Sequence, residues 1–258
     1  MAPRIAMWTG RIAAEAPGSL RRPNGVAHWA ACRPSDPSFP DLRDDRLVGT
    51  VLDVLRRRLA EPLPGRSAQS RMAPRLLGEP TSGLAPEDLR PAAAIVLLYP
   101  HQDVWHLLLT VRAPHLRHHT GQVSLPGGRV DPGESVEAAA LREAHEEIGV
   151  MPSTVEVLGR LTPLPIDASG HLLHPVVGRT LERPSFRVAT GEVDRLLEVS
   201  VAGLLQPDLV KWEQRPCLGQ SGALMDVPYF DVEGAHVWGA TAMVLAEFLT
   251  LLADLDVR

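Results

Sequence analysis

Three carboxylates in one short stretch, Glu143, Glu146 and Glu147, carry the most chemistry in this chain. At offsets of zero, three and four they project from one helical turn toward the same side. Like charges this close repel, and they stand near the C-terminal end of the helix dipole, the wrong end for anions. A cation between them resolves both conflicts. Hard oxygen donors favour Mg²⁺ or Mn²⁺, and Mg²⁺ commonly bridges a few carboxylates to substrate phosphates. The chemistry implied is metal-assisted attack on a phosphate ester or anhydride. A solvated acidic face on a surface helix is the alternative that the three glutamates alone leave open.

The flanking residues are those needed to position such a cluster. A turn containing Gly127, Gly128, Asp131, Pro132 and Gly133 runs into strong helix formers, with Ser135 as N-cap. Val136, Ala140, Ala144 and Ile148 recur at spacing four and form an apolar stripe, and Gly149 ends the helix. Ahead of the turn, Arg112, Arg117, His118 and His119 form a basic stretch. Guanidinium forks suit phosphate oxygens, so a basic loop beside an acidic metal helix is a layout for holding a polyphosphate. Ordinary surface ion pairs are the other reading of Arg112 and Arg117. His145, inside the helix, reads as a surface residue or one lying behind the metal ligands.

The complete spacing is more specific than its parts. Gly128, five residues, Glu134, seven residues, Arg142-Glu143, two residues, Glu146-Glu147, one residue, Gly149-Val150 resembles the signature of the Nudix hydrolases. Seven fixed letters at ordinary usage match by chance less often than roughly once in 10⁸ starting positions. Ala144 stands where a larger aliphatic residue is usual, which bears on packing and leaves the chemistry intact. The resemblance implies that Glu143, Glu146 and Glu147 are metal ligands, with the Gly127 carbonyl as another, and that Glu134 and Arg142 tie the turn to the helix.

A second pattern precedes the first. Leu108-Leu109-Thr110-Val111-Arg112-Ala113, then Arg117, Gly121 and Leu125-Pro126-Gly127-Gly128, resembles the coenzyme A diphosphatase branch of that family, with Leu125 replacing the usual phenylalanine. Residues 174–178 (His-Pro-Val-Val-Gly) and 237–241 (Val-Trp-Gly-Ala-Thr) are also similar to that branch. The resemblance covers about residues 90–250 and implies phosphate binding by Arg112 and Arg117. It also implies a carboxylate outside the main cluster, for which Glu192 is the candidate. A glutamate favoured by a helix N-terminus is the competing account of Glu192.

Length and composition bound the rest. A chain of 258 residues holds one sizeable domain with extensions, or two small ones. A hydrophobic content of 45% is that of a globular protein, and a net charge of −5 argues against a general nucleic-acid binder. Two cysteines, Cys32 and Cys217, suit a reducing cytoplasm. No apolar run reaches membrane-spanning length.

Residues 1–43 mix Pro, Ala, Arg and Gly without periodicity and are expected to be a disordered leader. Arg4, Arg11, Arg21 and Arg22 give the leader a faint transit-peptide character, which Glu15 and the prolines oppose. Residues 44–61 have helical spacing, and about 62–90 read as a Pro/Gly/Ser-rich linker broken by a short run from Met72 to Leu77, so 44–89 is expected to be an N-terminal helix and linker. The hydrolase domain is expected over 90–255. Strands are expected at 92–99, 104–112, 155–161 and 172–180, with a hairpin at 167–170 and helices at 192–205 and 237–255.

The expected fold class is α/β, a Nudix-type α/β/α sandwich with a mixed sheet behind a partly disordered extension. The expected activity is divalent-metal-dependent hydrolysis of the diphosphate of coenzyme A or acyl-CoA, with Glu143, Glu146 and Glu192 catalytic. Another nucleoside diphosphate derivative such as ADP-ribose, or a non-catalytic nucleotide-binding module, are the alternatives. The expected partner is a small-molecule nucleotide substrate, with no nucleic acid or membrane, and a homodimer is an assembly the reading allows.

Overall fold

A computed structural model describes residues 45–76, 88–113, 122–167, 169–189, 191–217 and 223–253. The expected leader therefore lies outside the described residues. In chain order come helices α1 (Asp45–Ala60) and α2 (Arg66–Gln69), strand β1 (Arg75–Leu76), and strands β2 (Arg90–His101), β3 (Val104–Arg112), β4 (Val123–Ser124) and β5 (Gly127–Arg129). Helix α3 (Val136–Ile148) follows, then β6 (Glu156–Arg160), β7 (Leu164–Ile166), β8 (His171–Arg179) and β9 (Val193–Ser200). The chain closes with α4 (Val201–Leu204), β10 (Val210–Pro216), β11 (Leu224–Val232), β12 (Ala235–Trp238) and α5 (Gly239–Ala253).

Eight strands form one mixed sheet, in which β2 and β8 run parallel and the remaining pairs are antiparallel. Strand β2 is apolar throughout its middle because both of its faces are covered. Ala93, Ile95, Leu97 and Tyr99 pack with Ala139, Ala140, Ala144 and Ile148 of α3. Ala94, Val96 and Leu98 point to the other face, into a core built with Leu245, Phe248 and Leu249 of α5 and Leu52 and Leu55 of α1. This is the expected α/β/α arrangement.

One edge of β2 is shared. Residues 98–101 pair with β3, whereas 92–94 pair with β5. Past that point β3 instead pairs with β4 on one side and continues along β9 on the other. The resulting fork brings the end of β3, the glycine turn and the start of β9 together.

Several expectations need correction. Residues 192–205 do not form a helix: β9 occupies most of that range, and only Val201–Leu204 is helical. Apolar residues Val193, Leu196 and Leu197 fit helical spacing as well as strand burial, and pairing with β3 decides between them. The closing helix starts at Gly239, because residues 235–238 pair with β11. A second sheet, in which β11 is flanked by β10 on one side and by β1 and β12 on the other, had no counterpart in the sequence reading.

The expected linker is also structured over 62–76. Its α2 and Met72 pack on the α5 side of the core, and β1 pairs with β11. The tie is Glu247 of α5, which is fully buried. Its carboxylate accepts hydrogen bonds from Gly65 N (3.0 Å), Gln69 Nε2 (2.9 Å), Thr162 N (3.3 Å) and Thr162 Oγ1 (2.6 Å). A buried carboxylate is tolerated only with its acceptor sites filled, and here an N-terminal segment and the loop before β7 fill them.

Among the described residues no helix is long and apolar enough to cross a membrane. Glu247→Ala is expected to lower the free energy of unfolding by about 3–5 kcal/mol, since it strands several buried donors at once. Urea denaturation checks this, as a fall in the midpoint at unchanged slope.

Candidate active site

The turn-helix unit forms as its local chemistry dictates. Ser135 has extended backbone, and its Oγ accepts from Ala138 N at 3.1 Å, capping α3. At the other end Gly149 adopts φ 73°, and its N–H donates to His145 O at 3.0 Å. A Cβ on Gly149 would also meet Arg187 Cβ at 2.9 Å, so glycine is required there twice over.

Arg142 and Glu134 join the turn to the helix. Arg142 Nε donates to Glu134 Oε1 at 3.0 Å, and Nη2 donates to Glu134 Oε2 at 3.0 Å and to Arg129 O at 2.9 Å. Glu134 Oε2 also accepts from Asp131 N at 3.1 Å. The Arg142 fork, helped by that backbone bond, holds the Glu134 carboxyl below the usual range.

The three glutamates of α3 differ in burial and in partners. Glu147 is buried against the glycine turn, where Gly127 N donates to its Oε2 at 3.2 Å. Glu143 is largely buried beside Gly128, and Arg142 Nη1 donates to its Oε1 at 2.8 Å. Glu146 is exposed, and the same Nη1 donates to its Oε2 at 3.2 Å. Burial pushes the Glu147 carboxyl up to about 7; the Gly127 bond and Arg112 oppose the shift, while Glu143 and Glu192 add to it. Burial also raises Glu143, with Arg142 opposing and Glu146 and Glu192 adding.

No three acidic, His or Cys side chains among the described residues already converge around one point. The donor chemistry nevertheless fits a divalent cation. The carboxylates are oxygen donors whose negative charge adds to the raising of Glu143 and Glu147, and the Arg142 contact to exposed Glu146 is weak enough to yield.

The fork brings two further expected residues to this cluster. Arg112 ends β3 opposite Val193, close enough to Glu147 to lower its pKa. Its Nε is buried and has no partner among the described residues. Glu192 lies in the turn before β9, where its N donates to Ala189 O at 3.0 Å and its O accepts from Ala113 N at 2.9 Å. A turn leading into a strand removes the helix-dipole account of Glu192, and its carboxylate is close enough to raise both Glu143 and Glu147. Arg117, His118, His119 and Gly121 lie outside the described residues. His145 is exposed. Leu125, in place of the usual ring, is buried in the α5-side core with Val123.

The backbone support of the site has no signal in the sequence. Arg187 N donates to Ile148 O at 2.9 Å, and Ala189 N donates to Glu147 O at 3.0 Å, so residues 181–189 cap the helix that carries the glutamates. Main-chain donors leave no mark in side-chain identity, and no periodicity marks this segment.

The fold and site define an α/β/α layered domain with an acidic helix beside a glycine turn. Comparison with known proteins names its class: the NUDIX domain model matches residues 88–218. The uncharacterized Nudix hydrolase NudL of Escherichia coli (strain SMS-3-5 / SECEC) is 48% identical over 142 residues, covering 55% of this chain and 72% of that protein. NudL of Yersinia enterocolitica is 37% identical over 140 residues, 54% of this chain and 70% of that one. Among solved structures, the Nudix hydrolase RenU of M. smegmatis aligns at 26% identity over 43% of this chain and 71% of its own, with a TM-score of 0.36. The chain belongs to the Nudix hydrolase family, enzymes that hydrolyse pyrophosphate-containing substrates and generally use divalent metals.

Gly128 allows a local test. A Cβ there would collide with the Glu143 carboxylate, the far end of a flexible side chain that Arg142 holds by one hydrogen bond. Gly128→Ala is therefore expected to cost less than about 1 kcal/mol of stability, because the carboxylate can swing away. Activity is expected to fall by roughly 10²-fold, because the donor is then misplaced. Parallel thermal melts and steady-state assays check the split.

Proposed function

We propose that this chain hydrolyses the diphosphate bond of coenzyme A or an acyl-CoA, giving 4′-phosphopantetheine (or its acyl form) and adenosine 3′,5′-bisphosphate. The observation that carries the reading is the meeting of two motifs at the fork. Strand β3 delivers Arg112, from Leu-Leu-Thr-Val-Arg-Ala, beside Glu147 of the glutamate cluster. One pattern supplies the chemistry common to the family, and the other supplies the resemblance to the coenzyme A branch. The compact unit proposed to do this spans residues 90–255, supported by the N-terminal helix.

Glu143, Glu146 and Glu147, with the Gly127 carbonyl, are the proposed ligands of Mg²⁺ or Mn²⁺. A cation bound there would supply charge neutralisation for the phosphates and a water molecule of lowered pKa. Arg112, with an unpaired guanidinium nitrogen, supplies a donor fork for a flanking phosphate, and Arg117 supplies a second. Glu146 or Glu192 accepts the proton from the attacking water. Glu146 is exposed and held by one contact to Arg142, and Glu192 stands in the turn before β9, close enough to raise Glu143 and Glu147. Arg142 keeps Glu143 and Glu134 in register, so positioning and electrostatics provide most of the acceleration. Gly128, Glu134, Arg142 and Gly149 serve as structural residues.

Product identification tests the substrate. Incubation with coenzyme A and Mg²⁺ or Mn²⁺ is expected to yield the two products above, and turnover of ADP-ribose at an equal or better rate would overturn the assignment. Glu146→Gln is expected to lower kcat by roughly 10²–10⁴-fold with the fold intact, on the scale of lost proton transfer. Near-wild-type turnover in that variant removes its assigned role.

A further inference from the structure

The segment from Thr180 to Val193 links the two acidic parts of the site through one residue. Ala189 N donates to Glu147 O at 3.0 Å, and Ala189 O accepts from Glu192 N at 3.0 Å and from Val193 N at 3.1 Å. The relation between Glu147 and Glu192 therefore depends on where Ala189 is held. Among the described residues the segment has no regular secondary structure of its own between β8 and β9.

Its anchor lies upstream. Thr180 N donates to Leu98 O at 2.9 Å, which starts the segment on the central strand. Arg183 then meets Glu198 of β9 with both arms of its fork, Nε to Oε2 at 2.7 Å and Nη2 to Oε1 at 2.6 Å. Tyr99, fully buried on β2, donates its hydroxyl to Glu198 Oε2 at 3.1 Å. Phe186 lies 5.3 Å beneath the Arg183 guanidinium and 5.3 Å from the Tyr99 ring, edge-on.

An isolated ion pair this exposed would hold little. Here the bidentate geometry, a buried phenol on the same carboxylate and a ring contact on each side act together.

We propose that Tyr99, Glu198 and Arg183 form a positioning unit for the acidic centre, clamping residues 180–189 so that Ala189 keeps Glu147 and Glu192 in fixed relation. The proposal rests on the metal-site reading above. These residues touch no substrate; they act through a backbone that caps α3.

The test measures Mn²⁺ binding to the full chain without substrate, by the loss of the free-ion paramagnetic resonance signal, alongside kcat and KM. Arg183→Gln is expected to weaken Mn²⁺ binding by roughly 10–100-fold, the range for residues that orient metal ligands. It is also expected to lower kcat while KM changes less than about twofold, since substrate groups are untouched. Arg183→Lys, which keeps charge without the fork, is expected to recover part of the loss.

Unchanged Mn²⁺ binding in Arg183→Gln, with only a lowered melting temperature, would overturn the proposal and leave the contact purely structural. Glu198→Gln is read in the same way should Arg183→Gln fail to fold. Glu143→Gln separates the two readings. If that variant binds Mn²⁺ as the wild type does, the metal site itself is wrong. If it loses binding while Arg183→Gln keeps it, the clamp alone is wrong.

Discussion

Crowded negative charge is the constraint around which the rest of the structure is arranged. Burial raises the pKa values of Glu143 and Glu147, and neighbouring carboxylates add to it, Glu146 and Glu192 at the first and Glu143 and Glu192 at the second. A helix gains nothing from such a cluster, so its neighbours must hold it together. Arg142 reaches Glu134, Glu143 and Glu146 from a single guanidinium, and Gly127 offers a backbone N–H to Glu147. Because Arg142 also bonds the Arg129 carbonyl, the same contacts fix the turn. Local order in the turn and charge placement on the helix are thus one interaction network.

The sheet decides where that network opens. Strand β2 cannot pair with β3 and β5 at the same positions, so β3 diverges and the turn takes its place along residues 92–94. Arg112 and Glu192 approach the acidic helix only because of this divergence. Packing on both faces keeps the fork rigid, with α3 on one side and α5 with α1 on the other. The loop before β7 and the N-terminal α2 are held to α5 by Glu247, so support for the sheet reaches well outside the family motif.

Legibility of the sequence followed the range of the interaction concerned. Ser135 and Gly149 act within one turn of themselves, and both ends of α3 were readable. Residues 193–200 are ambiguous in sequence because Val193, Leu196 and Leu197 satisfy two periods, and only the partner strand chooses. Strands β10 and β11 were not seen. Lys211, Glu213 and Arg215 line an outer face that meets other side chains through ion pairs and ring contacts rather than burial. Residues 62–76 resemble a linker because Pro, Gly and Ser recur there, and their role depends on a carboxylate at position 247.

By itself the sequence determined the acidic helix, its caps, the arginine-glutamate tie and the family, since each rests on residue types at short fixed spacings. Tertiary structure alone decided that Glu147 is buried while Glu146 is exposed, that Glu192 sits in a turn, and that Ala189 joins them. Those outcomes depend on strand pairing and backbone hydrogen bonds between distant segments, and main-chain donors are the same at every residue except proline.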